Sequence, residues 1–235
     1  MALPAISTPE FFDVIPSTKE EIKYRPFLVG EEKNLLIALE GQEQKEITNA
    51  IINILRECIL TDIDIHKLST FDIEYMFLKI RGKSVGEIIT ANMSHTNPET
   101  ECKARTEVQI NLDSIGVVGE VKKAEVMITD TVGAKLRYPT LKTVMDMKGD
   151  DADSMFTMIC ANIDYLYDAE NIYNDFTLEE IEEWVGKLNK SQFNKITEFF
   201  EGIPKLSHEV KWKCAKCGEE DSVLLEGLQS FFTLQ

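Results

Sequence analysis

Apolar residues recur along this chain at two periods, and the switches between them predict its elements. From Gly30 a first helix holds Leu35, Leu36 and Leu39 and ends near Gly41. Glu43 to Leu60 makes a clearer helix, because Ile47, Ala50, Ile51, Ile54, Leu55 and Cys58 fall on one stripe. Cys58 shares that stripe and is read as core filler. A third helix, Thr70 to Arg81, carries Phe71, Ile73, Tyr75, Phe77, Leu78 and Ile80 over most of its surface. Such a helix should be buried, and Gly82 is expected to end it. Beyond Pro139 helices are expected to dominate, with Met155, Ile159, Ile163 and Leu166 at helical spacing and Cys160 beside them. Thr177 and Glu180 form a capping box for a helix carrying Ile181, Trp184, Val185 and Leu188. A last helix, Lys190 to Glu201, stops at Gly202 and Pro204.

Period-two stretches sit between these helices. Glu21 to Arg25 alternates as a strand and stops at Pro26, after an extended, Pro-punctuated segment over 1–20. Glu87–Met93 and Thr106–Leu112 read as a hairpin around a polar loop, His95 to Arg105. Glu125–Thr129 and Ala134–Tyr138 pair around Val132-Gly133. Glu209 to Leu225 reads as strand–loop–strand around Cys214-Ala-Lys-Cys217-Gly218, followed by a Phe-rich tail. Leu228, Phe231, Phe232 and Leu234 of that tail either cover the sheet of their own domain or insert into a partner's groove. The fold class is therefore α+β, with helices packed on antiparallel β-hairpins. The boundaries are an extended segment 1–20, an α+β half 21–138, an acidic helical region 139–203, and 204–235 with the CxxC hairpin. One α+β unit with a helical insertion fits this alternation better than two independent domains.

Charge narrows the partners. The 235 residues carry a formal net charge of −16. Eleven acids lie between Gly149 and Gly186, where no Lys, Arg or His occurs: Asp150, Asp151, Asp153, Asp164, Asp168, Glu170, Asp175, Glu179, Glu180, Glu182 and Glu183. Such a field repels phosphate backbones and anionic lipid, so neither nucleic acid nor membrane is an expected partner. The run is either a solvated face or an acidic docking face for a basic protein. No apolar stretch approaches the roughly 20 residues of a membrane-spanning helix. The start, MALPAISTPE, lacks a secretion pattern, which predicts a cytosolic protein. Five cysteines, an odd count in such a chain, argue against a disulfide framework.

The two helix-plus-hairpin stretches echo each other at an offset of 122. Ser69-Thr-Phe71-Asp72 answers Ser191-Gln-Phe193-Asn194, Phe77 answers Phe199, Glu87 answers Glu209, and His95 falls on Cys217. Matches this sparse are compatible with an internal duplication and with chance. A true duplication predicts both hairpins side by side in one sheet with their loops together. That bears directly on Cys214-x-x-Cys217-Gly218, which has the geometry of a zinc knuckle: the glycine lets the backbone turn so that both thiolates face one metal. One CxxC is half a structural zinc site, and Cys102 and His95 in the first hairpin are the candidates for the other half. Unmetallated thiols and a redox CxxC are the alternatives, the last disfavoured because a redox pair opens a helix.

Nothing in the sequence looks catalytic. GxSxG, HExxH, GxxxxGK[ST] and GxGxxG are all missing, His66 falls in a short polar connection and His208 precedes a strand. The expectation is a protein-binding, non-enzymatic chain.

Several stretches carry a family resemblance. They are Glu21-Ile-Lys-Tyr-Arg-Pro-Phe-Leu-Val-Gly-Glu-Glu-Lys33, Phe71-Asp-Ile-Glu-Tyr75, Arg81-Gly-Lys-Ser-Val-Gly86 and Lys135-Leu-Arg-Tyr-Pro139. Glu198-Phe-Phe-Glu-Gly-Ile-Pro-Lys-Leu206 and Glu226-Gly-Leu-Gln-Ser-Phe-Phe232 complete the set. In order, from about residue 5 to the end, they resemble the baseplate hub assembly proteins of T4-like contractile-tailed bacteriophages. The resemblance implies a role in assembling the central hub of the tail baseplate, as a hub subunit or an assembly chaperone. It implies other phage baseplate hub proteins as partners and the host cytoplasm as the place of work, with the virion tail as a second location if the protein is retained. It brings no catalytic residues. Members of the family often show metal-like cysteine pairs in their hairpin loops, and this chain departs from a full set, offering only Cys102 with His95 in the first.

Overall fold

The computed structural model describes residues 6–97, 102–146, 149 and 151–232, apart from the side chains of residues 44, 97, 146, 229, 231 and 232. The chain begins with two short antiparallel strands, β1 (Phe11–Val14) and β2 (Glu21–Tyr24), so the segment before Glu21 is half of a hairpin. Helices α1 (Val29–Gly41), α2 (Gln44–Cys58) and α3 (Thr70–Val85) follow. Then come a long hairpin, β3 (Ile88–Asn97) with β4 (Cys102–Asn111), and a short strand β5 (Gly116–Val118).

A second set of elements comprises β6 (Glu125–Met127), β7 (Gly133–Leu136), α4 (Leu141–Asp146) and α5 (Ala152–Ala161). It continues with β8 (Ile163–Tyr167), β9 (Ile172–Tyr173), α6 (Leu178–Gly186) and α7 (Lys190–Phe200). The chain closes with β10 (Lys205–Lys213), β11 (Glu220–Glu226) and α8 (Gly227–Phe232). The fold is α+β, and every strand pairing is antiparallel.

Two compact units divide these elements. One comprises Met1–Ile65, Phe71–Val118 and Lys205–Gln235; the other comprises His66–Thr70 and Gly119–Pro204. In the first, α3 is buried nearly all round, as its apolar surface requires, and Phe71, Met76, Phe77, Leu78 and Ile80 are sealed from solvent. Several of its polar side chains find partners, whereas Nη1 of buried Arg81 has none among the described residues. Buried Asp72 accepts hydrogen bonds from the Ser17 amide (2.9 Å) and hydroxyl (2.5 Å), and Lys79 donates to the Asp113 carbonyl at 2.9 Å. Glu74 accepts from the Leu228 amide at 3.2 Å and so caps α8, the helix that the Phe-rich tail begins. The tail's Leu228 is buried, while the outward or inward role expected of Phe231, Phe232 and Leu234 lies outside the described residues. Gly82 does not end α3; the helix runs one turn further and stops before Gly86, whose φ of 123° is the conformation glycine tolerates.

The second unit has its own core, built on Leu136, Ile159, Cys160, Ile163, Leu166, Ile181, Val185, Ile196 and Phe199. Tyr138 stacks on Phe199 with ring centroids 4.6 Å apart. Here the helical spacing of Met155, Ile159, Ile163 and Leu166 misleads. Only the first two lie on α5; Ile163 and Leu166 lie on β8, paired with β7. The register shifts between Lys135 and Leu136, and the resulting bulge breaks the alternation of β8 so that its buried positions fall three apart. Region 139–203 is therefore not purely helical. Much of the acidic run is spent on local order. Asp151 caps α5, Thr177 and Glu180 close their box at α6, Glu182 accepts from Thr157 (2.7 Å), and Asp168 accepts from the Glu170 and Asn171 amides and the Tyr173 hydroxyl.

The two long hairpins do not share a sheet. Among the described residues β3 pairs only with β4, while β10 lies between β11 and β5 in a three-stranded sheet. The first turns of β10 are occupied by β5 at Lys205–Ser207, so no strand of the other hairpin pairs there. The helices that precede the hairpins also differ: α3 packs in the first unit and α7 in the second. The echo at offset 122 is one of element order, not of packing.

Candidate metal centre

The loops of the two hairpins nevertheless meet. Strand pairing in the first hairpin runs further than its sequence predicts, with His95 opposite Ala104 and Cys102 opposite Asn97. Both residues thus stand on strands near the tip, where backbone pairing fixes their direction, and not in a polar loop. In the second hairpin β10 and β11 pair out to Lys213 and Glu220, and the chain between them turns tightly. The Cys214 amide donates to the Glu219 carbonyl (2.7 Å), the Gly218 amide to the Cys214 carbonyl (2.9 Å), and Gly218 takes a φ of 74°. Glycine occupies this left-handed position without steric cost. The Ala215 amide donates to Thr106 Oγ1 at 3.1 Å, tying the turn to β4.

The four predicted residues come together. Ligand atoms of His95, Cys102, Cys214 and Cys217 all lie within 4.8 Å of one another. His95, Cys102 and Cys214 are buried and Cys217 is exposed; the three cysteines are free thiols. Cys102 Sγ and Cys214 Sγ are 3.8 Å apart. A tetrahedral zinc with Zn–S bonds of about 2.3 Å sets its sulfurs about 3.8 Å from each other, so this pair already stands at the edge length of that polyhedron.

His95 supports the same reading. Its Nδ1 is 2.8 Å from Asp221 Oδ2, the carboxylate partner that orients many metal-bound imidazoles. Its Nε2 is buried without a hydrogen bond, 3.4 Å from Glu219 Oε2, and is the nitrogen left for a ligand bond. A buried polar atom without a partner is costly, and a metal would satisfy it. The donor set of three thiols and one imidazole is that of a closed structural zinc site. Cys214 loses its proton more readily than Cys102. Backbone amides of Cys217 and Lys216 and the side chains of Cys217 and Cys102 point at its sulfur, bringing its pKa down to about 6. Burial and the neighbouring Cys217 and Cys214 sulfurs push Cys102 up to about 11. The hydrogen bond to Asp221 raises the His95 pKa, against burial, and lowers that of Asp221.

Sequence reasoning missed Asp221, Glu219 and Thr106. Asp221 and Glu219 flank the CxxC on its own hairpin, but which face each takes depends on register, and no local pattern reveals that a histidine from another hairpin will arrive there. The remaining histidines lie elsewhere. His208 is on β10 opposite Leu225. His66 lines a cleft of about 890 Å³ in the second unit, with Asp153 and Asp164 in its wall. Several polar groups of that cleft have protein partners: Arg137 pairs with Asp164 at 3.6 Å and donates to the Ala161 carbonyl, Ser154 donates to Asp151, Thr157 donates to Glu182, and Thr140 bonds Thr143.

The molecule is thus an α+β protein in which two hairpins converge on a cysteine–histidine cluster of metal-binding composition. It belongs to the family described as T4 bacteriophage base plate protein, which it matches over residues 8–233. That makes it a phage baseplate protein with a structural or assembly role. No curated protein and no solved structure matches it. Among the described residues no helix is long and apolar enough to cross a membrane.

Proposed function

We propose that this protein assists assembly of the baseplate's central hub by binding other hub proteins, with a structural zinc held by Cys102, Cys214, Cys217 and His95. The observation that carries the metal is the convergence of three thiols and an orphaned buried imidazole nitrogen from two separate hairpins. The ion would take the place of a shared strand pairing, clamping the tips of β3–β4 and β10–β11 together. With four protein donors the coordination sphere is full, which leaves no open position for a substrate and suits a structural centre over a catalytic one. Metal analysis of the purified protein should find about one equivalent of zinc. Less than about a tenth of an equivalent would remove the ion from the account, since structural sites bind tightly enough to stay filled.

The role in assembly is supported by family membership and by surface charge. A net charge of −16 sets the chain against phosphate-rich partners and favours basic proteins at low ionic strength. The work is done in the host cytoplasm, before the tail is complete. Individually purified hub proteins from the same genome, offered to the immobilised chain at low salt, should include one that binds stably. If none binds, the assembly role fails. Finding the protein at stoichiometric level in purified virions would instead make it a permanent structural subunit.

A further inference from the structure

Arg81 is a buried cation without a counter-charge. It lies in the last buried turn of α3, is 6% exposed, and among the described residues its Nη1 meets no hydrogen-bond acceptor. Other deeply placed cations of this unit are answered. Lys79, 8% exposed, lies 3.8 Å from the Asp113 carboxylate, and Arg25 sits 2.7 Å from Glu31. At Arg81 burial alone acts on the guanidinium and lowers its pKa, with no carboxylate opposing it. A guanidinium does not escape burial by losing its proton, so an unpaired one destabilises the fold that holds it. Features that oppose stability cluster where binding offsets them.

The surface beside Arg81 is apolar. Val85, one turn further along the same face of α3, is 59% exposed. The Phe27 amide donates to Ser84 Oγ at 2.9 Å, which sets Leu28 and Val29, 49% and 82% exposed, alongside the end of that helix. Ile88, 60% exposed, follows across the turn at Gly86. We infer that Arg81 and this aliphatic rim form the docking site for a carboxylate-bearing segment of a partner protein, an Asp or Glu flanked by apolar side chains. This rests on the proposed binding of hub proteins and specifies the surface and the chemistry of what it takes. The planar guanidinium matches a carboxylate, and apolar side chains closing over the pair would strengthen it by excluding water. Free phosphate and nucleic acid would meet the net charge of −16 and gain nothing from the rim. A second copy of this chain would set one strongly acidic molecule against another.

Three full-length forms test this: the native chain, Arg81→Met, and Val29→Asp with Val85→Asp. Thermal unfolding is measured on each alone, and affinity against each purified baseplate protein of the same genome. Replacing the unpaired charge with an apolar side chain should raise the thermal midpoint of the isolated chain, by roughly 4 °C, which a purely structural arginine would not do. The same substitution should weaken the captured partner roughly 30-fold or more, the scale of truncating one side of a buried charge pair. The double variant should leave the midpoint in place and weaken capture by roughly tenfold or more. Neutralising the partner's acids one at a time should find one whose loss matches that of Arg81→Met and adds nothing to it. A midpoint that fails to rise in Arg81→Met, or capture undiminished in both variants, overturns the site and leaves the hub-binding role in place. Capture of nothing by the native chain overturns both. Inorganic phosphate that raises the midpoint of the native chain and not of Arg81→Met would give the site to a free anion, and self-association abolished by Arg81→Met would give it to a second copy; either result also overturns it.

Discussion

The carboxylate of Glu31 closes several contacts at once. Arg25 approaches it with both terminal nitrogens, Nη2 to Oε1 at 2.7 Å and Nη1 to Oε2 at 3.0 Å, and the Leu28 amide donates to Oε2 at 2.7 Å. Both charged side chains are mostly buried, at 15% and 19% exposure. The fork geometry and the amide at the start of α1 hold the carboxyl below its usual pKa, chiefly through Arg25, against the opposing effect of burial. The sign of the linkage follows. A carboxyl depressed in the folded state contributes stability above its unfolded value, near 4.3, and loses it as pH falls through the lower folded value. Glu31→Gln should therefore cost roughly 1.5–3 kcal/mol at pH 7, the range for hydrogen bonds to a charged group. The gap to the native chain should close as the medium is acidified below about 4.3. Urea denaturation of both forms at pH 7 and in acid measures this; a gap independent of pH would show that the charge of Glu31 is not what stabilises this corner.

Elements whose signals are local were legible before the fold was known. The capping box of Thr177 and Glu180 lies within four residues, and α6 starts where it says. The stripe of α2 and the all-round apolar surface of α3 are likewise written in adjacent turns. Elements defined by a distant partner were not. β1 lacks an apolar alternation of its own and becomes a strand because β2 lies beside it, and β5 is three residues that pair with β10 across the 86 positions 119–204. The apolar positions of β8 read as helix because its bulge against β7 imitates helical spacing. The metal-type cluster divides the same way. Its four donors could be named from residue type and hairpin position, whereas Asp221, which aims His95, depends on the packing of one hairpin against another. The echo between the two hairpin stretches predicts a convergence of these residues through a common sheet; the tips do converge, but without that sheet.

At the scale of the molecule, the chain leaves its first unit after Val118 and rejoins it at Lys205, with a separately cored unit between. The proposed zinc lies wholly in the first, on hairpins from both sides of that excursion. A metal there would close the chain across the inserted unit and stabilise the first unit in particular, because it joins hairpins about a hundred residues apart and the unfolded chain offers no preformed site. The two tryptophans separate the effects. Trp212 lies on β10 of the first unit, and Trp184 lies on α6 against the core of the second. In Trp184→Phe, fluorescence reports the first unit; in Trp212→Phe, it reports the second. Chelation with EDTA should lower the thermal midpoint seen by Trp212 by on the order of 10 °C, as a loss of about 3 kcal/mol would in a unit of this size. The midpoint seen by Trp184 should move far less. Cys217→Ser, which removes the one exposed donor, should reproduce the Trp212 shift without chelator. Equal shifts at both tryptophans would mean that the cluster stabilises the chain as one cooperative body, and no shift at either would mean that the hairpins hold their tips together by packing and hydrogen bonds alone.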